Sequence, residues 1–263
     1  MEQTPRIGCV PYLNAKPLLY WFNAEEGKGS AEVVLAAPTE LAKLVSDDKV
    51  DVALASSFYA LDKLGLFVVD SVGISSQGAV ESVRMFSKVP FQQIESLALD
   101  VSSLTSNHLA QILLAEKYGC APTLETMAPD INAMLQSADA CLLIGDAGLE
   151  ADSNGLHVLD LGAAWNQLTG LPFVWALWIG KSNLTSRLAD TLRAARDFGV
   201  THVEDVAMQE SQRLGIAYQR CLRYLAEVID FELSKTHWAG FSEYARLCKK
   251  HGFLVSAELP KRI

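Results

Sequence analysis

Long hydrophobic runs are scarce. The longest apolar stretch, Leu171 to Ile179, has nine residues and includes Pro172, whereas a membrane-spanning helix needs about 20. No segment is therefore placed in a bilayer. Metal-ligand spacing is missing too. The five cysteines, Cys9, Cys120, Cys141, Cys221 and Cys248, are scattered without a C-x-x-C pair, and no two of the five histidines lie three to five residues apart. That leaves a zinc site without support and reads the thiols as reduced core residues of a cytoplasmic protein. MEQTPRIG carries no basic stretch followed by an apolar one, so no secretory signal is read. Positive charge is in deficit: 22 Lys and Arg stand against 31 Asp and Glu, a net charge of −9. Phosphate neutralisation needs clustered cations, so a nucleic-acid partner is excluded. An anionic ligand would have to be held by dipoles, hydroxyls and a few cations.

Nucleotide signatures fail as well. "IGKS" at 179–182 resembles the end of a Walker loop, but Trp175 stands where its first glycine belongs. "GISSQG" at 73–78 misses the spacing of a nucleophile elbow, and no G-x-G-x-x-G occurs. ATP, NAD and serine-hydrolase chemistry are set aside, and no cofactor or metal is expected.

What is present is a compact composition, 50% hydrophobic and 20% charged, with a mean hydropathy of +0.16, over a length that allows one large domain or two lobes. Strand-like runs at 6–10, 32–36, 52–55, 67–69, 83–86, 97–99, 140–144 and 157–161 alternate with helical patterns, which predicts an α/β architecture. Leu109, Ile112 and Leu113 fall at helical spacing between Leu104 and Tyr118, and Gly119 stops that run. After Ser182 the pattern turns helical, in three segments that begin near Ser or Thr and end at Gly199, Gly215 and Gly252. No Gly/Ser linker separates the lobes. The chain is therefore expected to cross between them on extended segments near residues 87 and 174, giving lobe 1 from 1–86 and 174–263, and an inserted lobe 2 from 87–173.

Polar clusters sit at the predicted strand ends, where α/β proteins place ligands. In "YLNAKP", Asn14 suits a helix N-cap and Pro17 the first turn; the cluster reads equally as a plain cap with a solvated Lys16 or as part of a ligand site, with Tyr12 beside it. "ASSF" puts Ser56 and Ser57 after a strand, as turn residues or hydroxyl donors. "SSQGAVESV" offers Gly78 for close backbone approach and Ser82 as a donor, while Arg84 reads as an exposed strand charge. "DVSSLTSNH" at 100–108 supplies five side-chain donors, Ser102, Ser103, Thr105, Ser106 and Asn107, where one cap needs one. The surplus favours an anion site at a helix N-terminus. "IGDAG" places Gly145 and Asp146 after the next strand, Asp146 as cap or acid/base; Trp165 and Thr169 are candidates for the cleft wall. Two lobes offering such groups to one cleft would clamp a small polyanion.

"RIGCVPYLNAKPL", "PTELAKLVSDDKVDVALASS", "GAVESVRMFSK", "LALDVSSLTSNHLAQILL", "LLIGDAGL" and "DLGAAWNQLTGLPFVWALW" occur in this order over most of residues 6–180. Together they resemble the chorismate dehydratase family of the futalosine route to menaquinone. The resemblance implies a two-lobed type II periplasmic-binding-protein-like fold, each lobe a sheet flanked by helices with a helical C-terminal third, that is not exported. It implies a carbon–oxygen lyase converting chorismate, a small dicarboxylate, to 3-[(1-carboxyvinyl)oxy]benzoate and water. It further implies that Asn14 contacts substrate and matters for turnover, that Ser82 helps bind a carboxylate, and that Ser103, Thr105 and Ser106 form the second lobe's anion site. A solute-binding protein of the same fold and the sister 1,4-dihydroxy-6-naphthoate synthase are the alternatives; "YLNAKPL" favours the dehydratase. Oligomeric state is not legible in the sequence.

Overall fold

The computed structural model describes residues 4–263. Two sheets organise it. The first has seven strands: β1 (Arg6–Cys9), β2 (Glu32–Leu35), β3 (Val52–Ser56), β4 (Phe67–Ser76), β10 (Phe173–Gly180), β11 (Asp230–Glu232) and β12 (Lys261–Arg262). Their order is β11-β4-β10-β3-β1-β2, with β12 pairing β4. The second has five: β5 (Arg84–Ser87), β6 (Ser96–Asp100), β7 (Thr123–Met127), β8 (Ala140–Leu143) and β9 (His157–Asp160), in the order β7-β6-β8-β5-β9. The chain leaves the first sheet after Ser76 and rejoins it at Phe173. Residue 87 closes β5, so both strand neighbours of that segment belong to the second sheet.

β1 runs parallel to β2 and β3, and β6 runs parallel to β7 and β8, whereas β10 returns antiparallel between β3 and β4. Side-chain alternation explains how the second sheet is covered. Met85, Leu97, Leu99 and Leu142 join the main core, while Phe86, Ala98, Cys141 and Leu143 meet Met134 in a smaller one on the opposite face. β10 is buried on nearly every residue, as befits a strand between two neighbours, which is why "FVWALWIG" reads as a continuous apolar run.

Three local readings are corrected. Asn14 does not cap a helix: Leu13–Ala15 is a 3₁₀ turn, the helix Lys16–Asn23 follows with Ala15 at its N-cap, and no side chain caps it. Arg84 is not an exposed charge. Its guanidinium donates to the carbonyls of Gly148, Leu149 and Ala151, capping the C-terminal end of the helix Gly145–Glu150. Gly199 does not end its helix, which runs from Ser186 to Thr201. Gly215, by contrast, closes the helix Val203–Leu214 in the left-handed conformation. No helix among the described residues is long and apolar enough to cross a membrane.

Candidate functional site

Residues that follow β1, β6 and β8, with the C-terminal end of β3, converge on one cavity with an empty volume of about 600 Å³, part of it open to solvent. This is the strand-end position that α/β folds use for ligands. Of the sequence candidates, Tyr12, Asn14, Ser56, Ser103, Thr105, Ser106 and Gly145 line it, joined by Ser102. Pro38, Leu54, Ile74, Val80, Val83, Ile144 and Trp175 supply an apolar surround. No Asp, Glu, Lys, Arg or His stands on this wall among the described residues.

The other candidates lie off the wall. Ser82 is buried behind it and accepts a hydrogen bond from the Tyr224 hydroxyl at 2.7 Å. Asp146 accepts from the Leu13 N–H at 2.9 Å and stands 3.6 Å from Arg213, bracing the first lobe's 3₁₀ turn against the second lobe. Thr169 donates to the Trp165 carbonyl and accepts from Leu171 N–H, closing the end of the helix Leu161–Thr169. Trp165 is wholly buried and donates to the Pro172 carbonyl, so it belongs to the core, while the half-buried Thr169 serves its helix end.

Much of the donor surplus at 100–108 is spent locally. Asp100 takes the Ser102 N–H and hydroxyl at 2.8 and 2.6 Å, and the Asn107 amide binds the Asp100 and Ser103 carbonyls. Ser103 Oγ accepts from Ser106 N–H in the first turn of the helix Thr105–Leu113. Thr105 is the exception, because its hydroxyl reaches across the cleft. It lies 2.6 Å from Ser56 Oγ, accepts from Phe58 N–H at 3.2 Å, and its carbonyl accepts from Tyr244 at 3.0 Å.

Tyr12 forms a second crossing. Its ring lies on Gly145, whose φ of +59° admits glycine readily and where an added Cβ would press on the ring at 3.1 Å. Burial raises the Tyr12 pKa, the Ser102 hydroxyl opposes the rise, and Asp100 and Asp146 add to it, so the phenol stays protonated at neutral pH. Asp100 is also raised by burial, against its Ser102 hydrogen bonds. One wall atom has no partner at all: Asn14 Oδ1, buried and unbonded.

The chain matches a family model described as menaquinone biosynthesis over residues 5–250. The chain belongs to the menaquinone-biosynthesis family. Within reach of it is the chorismate dehydratase of Thermus thermophilus, 32% identical over 232 residues, which covers 80% of this chain and 83% of that protein. In structure, the chain resembles a protein from Archaeoglobus fulgidus with a TM-score of 0.78 and 17% identity, covering 95% of this chain and 98% of the other. It also resembles an alkanesulfonate-binding protein from Xanthomonas axonopodis bound to MOPS, with a TM-score of 0.72, 15% identity and both chains covered completely. These two likenesses establish the fold, the two-lobed periplasmic-binding-protein type expected from the motifs. For this member of the family, sequence reasoning missed Tyr224 and Tyr244. Both come from the helical third, where a buried tyrosine is indistinguishable by pattern from core.

The Thr105 crossing carries an expectation. Thr105→Val keeps the shape but leaves the buried Ser56 hydroxyl and Phe58 N–H unpaired where the two sheets' segments meet, which weakens that contact by about 1–3 kcal/mol. Ligand affinity falls by the same population shift. Titration of ligand binding is expected to show a loss of about tenfold, with the fold retained by circular dichroism; unchanged affinity would dismiss the crossing as incidental.

Proposed function

We propose that this chain is a hydro-lyase that converts chorismate to 3-[(1-carboxyvinyl)oxy]benzoate and water, acting in the cytoplasm with no cofactor. The observation that carries the reading is the composition of the wall: neutral hydroxyls and amides from both lobes, around an apolar floor, with no ionisable base. The 32% identity to a chorismate dehydratase supports it. Tyr12, Asn14, Ser56, Ser103, Thr105, Ser106 and Gly145 are assigned to the substrate; Ser82, Asp146 and Thr169 act from behind the wall or not at all.

Chorismate carries two carboxylates, a hydrogen on ring carbon C3 and a hydroxyl on C4. Conjugation with the ring carboxylate acidifies the C3 hydrogen, and loss of the C4 oxygen makes the ring aromatic. The protein's task is then alignment, exclusion of water and stabilisation of charge. Each protein base that the sequence offers is committed elsewhere. Asp146 holds Leu13 N–H, Glu81 is clamped by Arg223, and His108 donates through Nδ1 to the Leu104 carbonyl while stacked 3.8 Å from Phe58. The substrate's own enolpyruvyl carboxylate, adjacent to C3, therefore takes the proton. The C3–H electron pair forms the new ring double bond as the C4–O bond breaks, and the departing oxygen receives the proton to leave as water. Asn14 holds the C4 hydroxyl in line.

Purified protein incubated with chorismate alone tests this: a benzoate-type absorbance should appear. Binding without conversion would favour the solute-binding alternative, and turnover of the sister enzyme's substrate the naphthoate synthase.

Removing a true general base costs about 10²–10⁴ in rate. Asp146→Asn, Glu81→Gln and His108→Gln are each expected to lose less than about tenfold, and a base-sized loss at any one would return the proton to the protein. Asp146→Asn has a second readout. Burial raises the Asp146 carboxyl above its ordinary 3.8, the Leu13 N–H and Arg213 only partly offsetting it. The folded state thus holds this proton more tightly than the unfolded chain, so its contribution to stability is greatest at low pH and declines as pH rises through the raised value. Asparagine keeps the acceptor for Leu13 and drops the buried charge, so the variant should melt no lower than wild type at pH 7.

A further inference from the structure

The chain crosses from the first sheet to the second between Ser76, the end of β4, and Arg84, the start of β5. Inside this crossing Glu81 has a φ of +63°, although it is not glycine. Around it the Val80 carbonyl accepts from the Ser82 N–H at 2.8 Å, which makes residues 80–82 a γ-turn of the rare, strained hand. One carboxylate holds that turn. Asp160, at the end of β9, accepts from Val80 N–H at 3.0 and 3.2 Å and from Glu81 N–H at 2.7 Å, and it also caps the helix Leu161–Thr169 through Ala163 N–H at 2.9 Å. We propose that Asp160 is a positioning residue: by fastening the Val80 and Glu81 N–H groups it holds the strained turn that sets Val80 and Val83 on the cavity wall.

A helix cap needs one acceptor bond, and Ala163 supplies its donor. The remaining bonds of this carboxylate go to a segment about 80 residues earlier in the chain. Strain in a non-glycine residue persists only where the surroundings over-determine it, and such places cluster at functional sites. Here the surroundings do so. Arg223 takes the Glu81 carboxylate with both terminal nitrogens, and Tyr224 donates to Ser82 Oγ at 2.7 Å. The helix that Asp160 caps is seated on the same crossing, since a Cβ on Gly162 would collide with the Gly78 carbonyl. Among the described residues, Asp160 is the side chain that bonds the backbone of the turn itself. Val80 is thereby pinned at its N–H and its carbonyl, and Val80 and Val83 both belong to the apolar surround of the cavity. Resting on the function proposed above, this surround places the ring of chorismate, while Ser103 and Ser106 on a separate segment hold a carboxylate. A loosened turn then misaligns the ring without releasing the substrate, which lowers kcat rather than affinity.

Serine is a good N-cap, but its single oxygen on a shorter stem cannot serve both the helix and the crossing. Asp160→Ser is expected to lower kcat on chorismate about tenfold with KM within about threefold. Amide hydrogen exchange over residues 77–83 should accelerate, while the helix Leu161–Thr169 keeps its protection. Glycine takes a positive φ without steric cost. In the Asp160→Ser background, Glu81→Gly should therefore restore kcat to within about threefold of wild type, whereas Glu81→Gln, which keeps the Cβ, should not. A residue that only caps its helix would gain nothing from Glu81→Gly. Loss of kcat that Glu81→Gly does not restore, or unchanged exchange at 77–83, would overturn the proposal. If the wild type does not convert chorismate, the functional reading falls and the exchange at 77–83 alone decides the clamp. If Asp160→Ser does not fold, Asp160→Asn, which keeps the side-chain length with one acceptor oxygen, enters the same cycle with the same outcomes.

Discussion

Asn14→Ala is expected to lower kcat on chorismate by about 100-fold or more while leaving the protein as stable as wild type. The two halves of this expectation have one cause. Asn14 Oδ1 is buried on the cavity wall without a hydrogen-bond partner. A buried, unsatisfied polar atom costs about 1–3 kcal/mol, so truncating it removes a penalty rather than a support. The same truncation removes the group proposed to hold the leaving hydroxyl, and loss of alignment at a reacting centre is worth about 10²-fold. A residue kept for packing would show the reverse, lower melting with turnover intact. Asn14→Asp extends the test. It preserves the shape but puts a carboxylate into a wall with no charged group, facing a substrate with two negative charges, so KM should rise as well. If Asn14→Ala melts early and still turns over, the assignment of this residue to the chemistry fails. Equilibrium unfolding and initial rates on the same preparation separate the cases.

The strand–helix alternation was readable because periods of 2 and 3.6 differ sharply within one chain, and eight of the strand-like runs fall on β1 to β6, β8 and β9. β7 escaped because Thr123–Met127 is mostly exposed and carries no apolar alternation, and β11 and β12 are too short to show any. The candidate cavity was legible from a physical rule, that ligands collect at strand ends, and seven of the sequence candidates stand on its wall. The errors share a different origin. By residue type within their own segments Arg84, Asp146 and Thr169 read as local groups, yet each takes its partner from the tertiary fold or from its own helix end, and Asn14 sits in a 3₁₀ turn where a helix cap is expected. Arg84 reads as a surface charge until the helix Gly145–Glu150 points its terminal carbonyls at the guanidinium. Asp146 reads as an acid/base until Leu13, 133 residues earlier, donates to it.

Around the cavity the lobes are joined mainly by neutral contacts. Ser56 to Thr105 and Leu13 N–H to Asp146 are hydrogen bonds from one sheet's territory to the other's, and Tyr12 packs on Gly145. Of these only the Asp146 bond includes a charged group, which Glu210 and Arg213 extend to Lys16 as an ion-pair chain; off the cavity wall, Glu116 meets Lys250 and His251. A clamp built this way gains little long-range attraction for an anion from a protein of net charge −9. Recognition must then come from short-range donors that become strong only when water is excluded, which couples binding to closure.

Gly199→Ala is expected to destabilise the protein by about 2 kcal/mol, although helix propensity taken alone argues for the opposite sign. Within a helix, glycine costs roughly 0.5–1 kcal/mol relative to alanine, and Gly199 lies inside Ser186–Thr201. The competing effect is contact. An added Cβ would fall well inside van der Waals contact with the backbone carbonyl of Pro17, in the helix Lys16–Asn23 that packs across it. Backbone on both sides leaves no flexible side chain to yield, and Tyr20 stacked on Phe198 at 6.0 Å holds the helices in register. Overpacking of this kind costs about 1–3 kcal/mol and at times more, enough to outweigh the propensity gain. Melting should drop by about 4–8 °C. Function should follow on the proposed role of Asn14, because the displaced carbonyl belongs to the helix that Asn14's turn leads into, and moving that helix moves the Asn14 amide. The variant is thus expected to lose both stability and kcat, in contrast to Asn14→Ala, which loses only kcat. Melting at or above the wild-type temperature would mean that the two helices can separate freely, and that the position of Asn14 is set by something other than their contact.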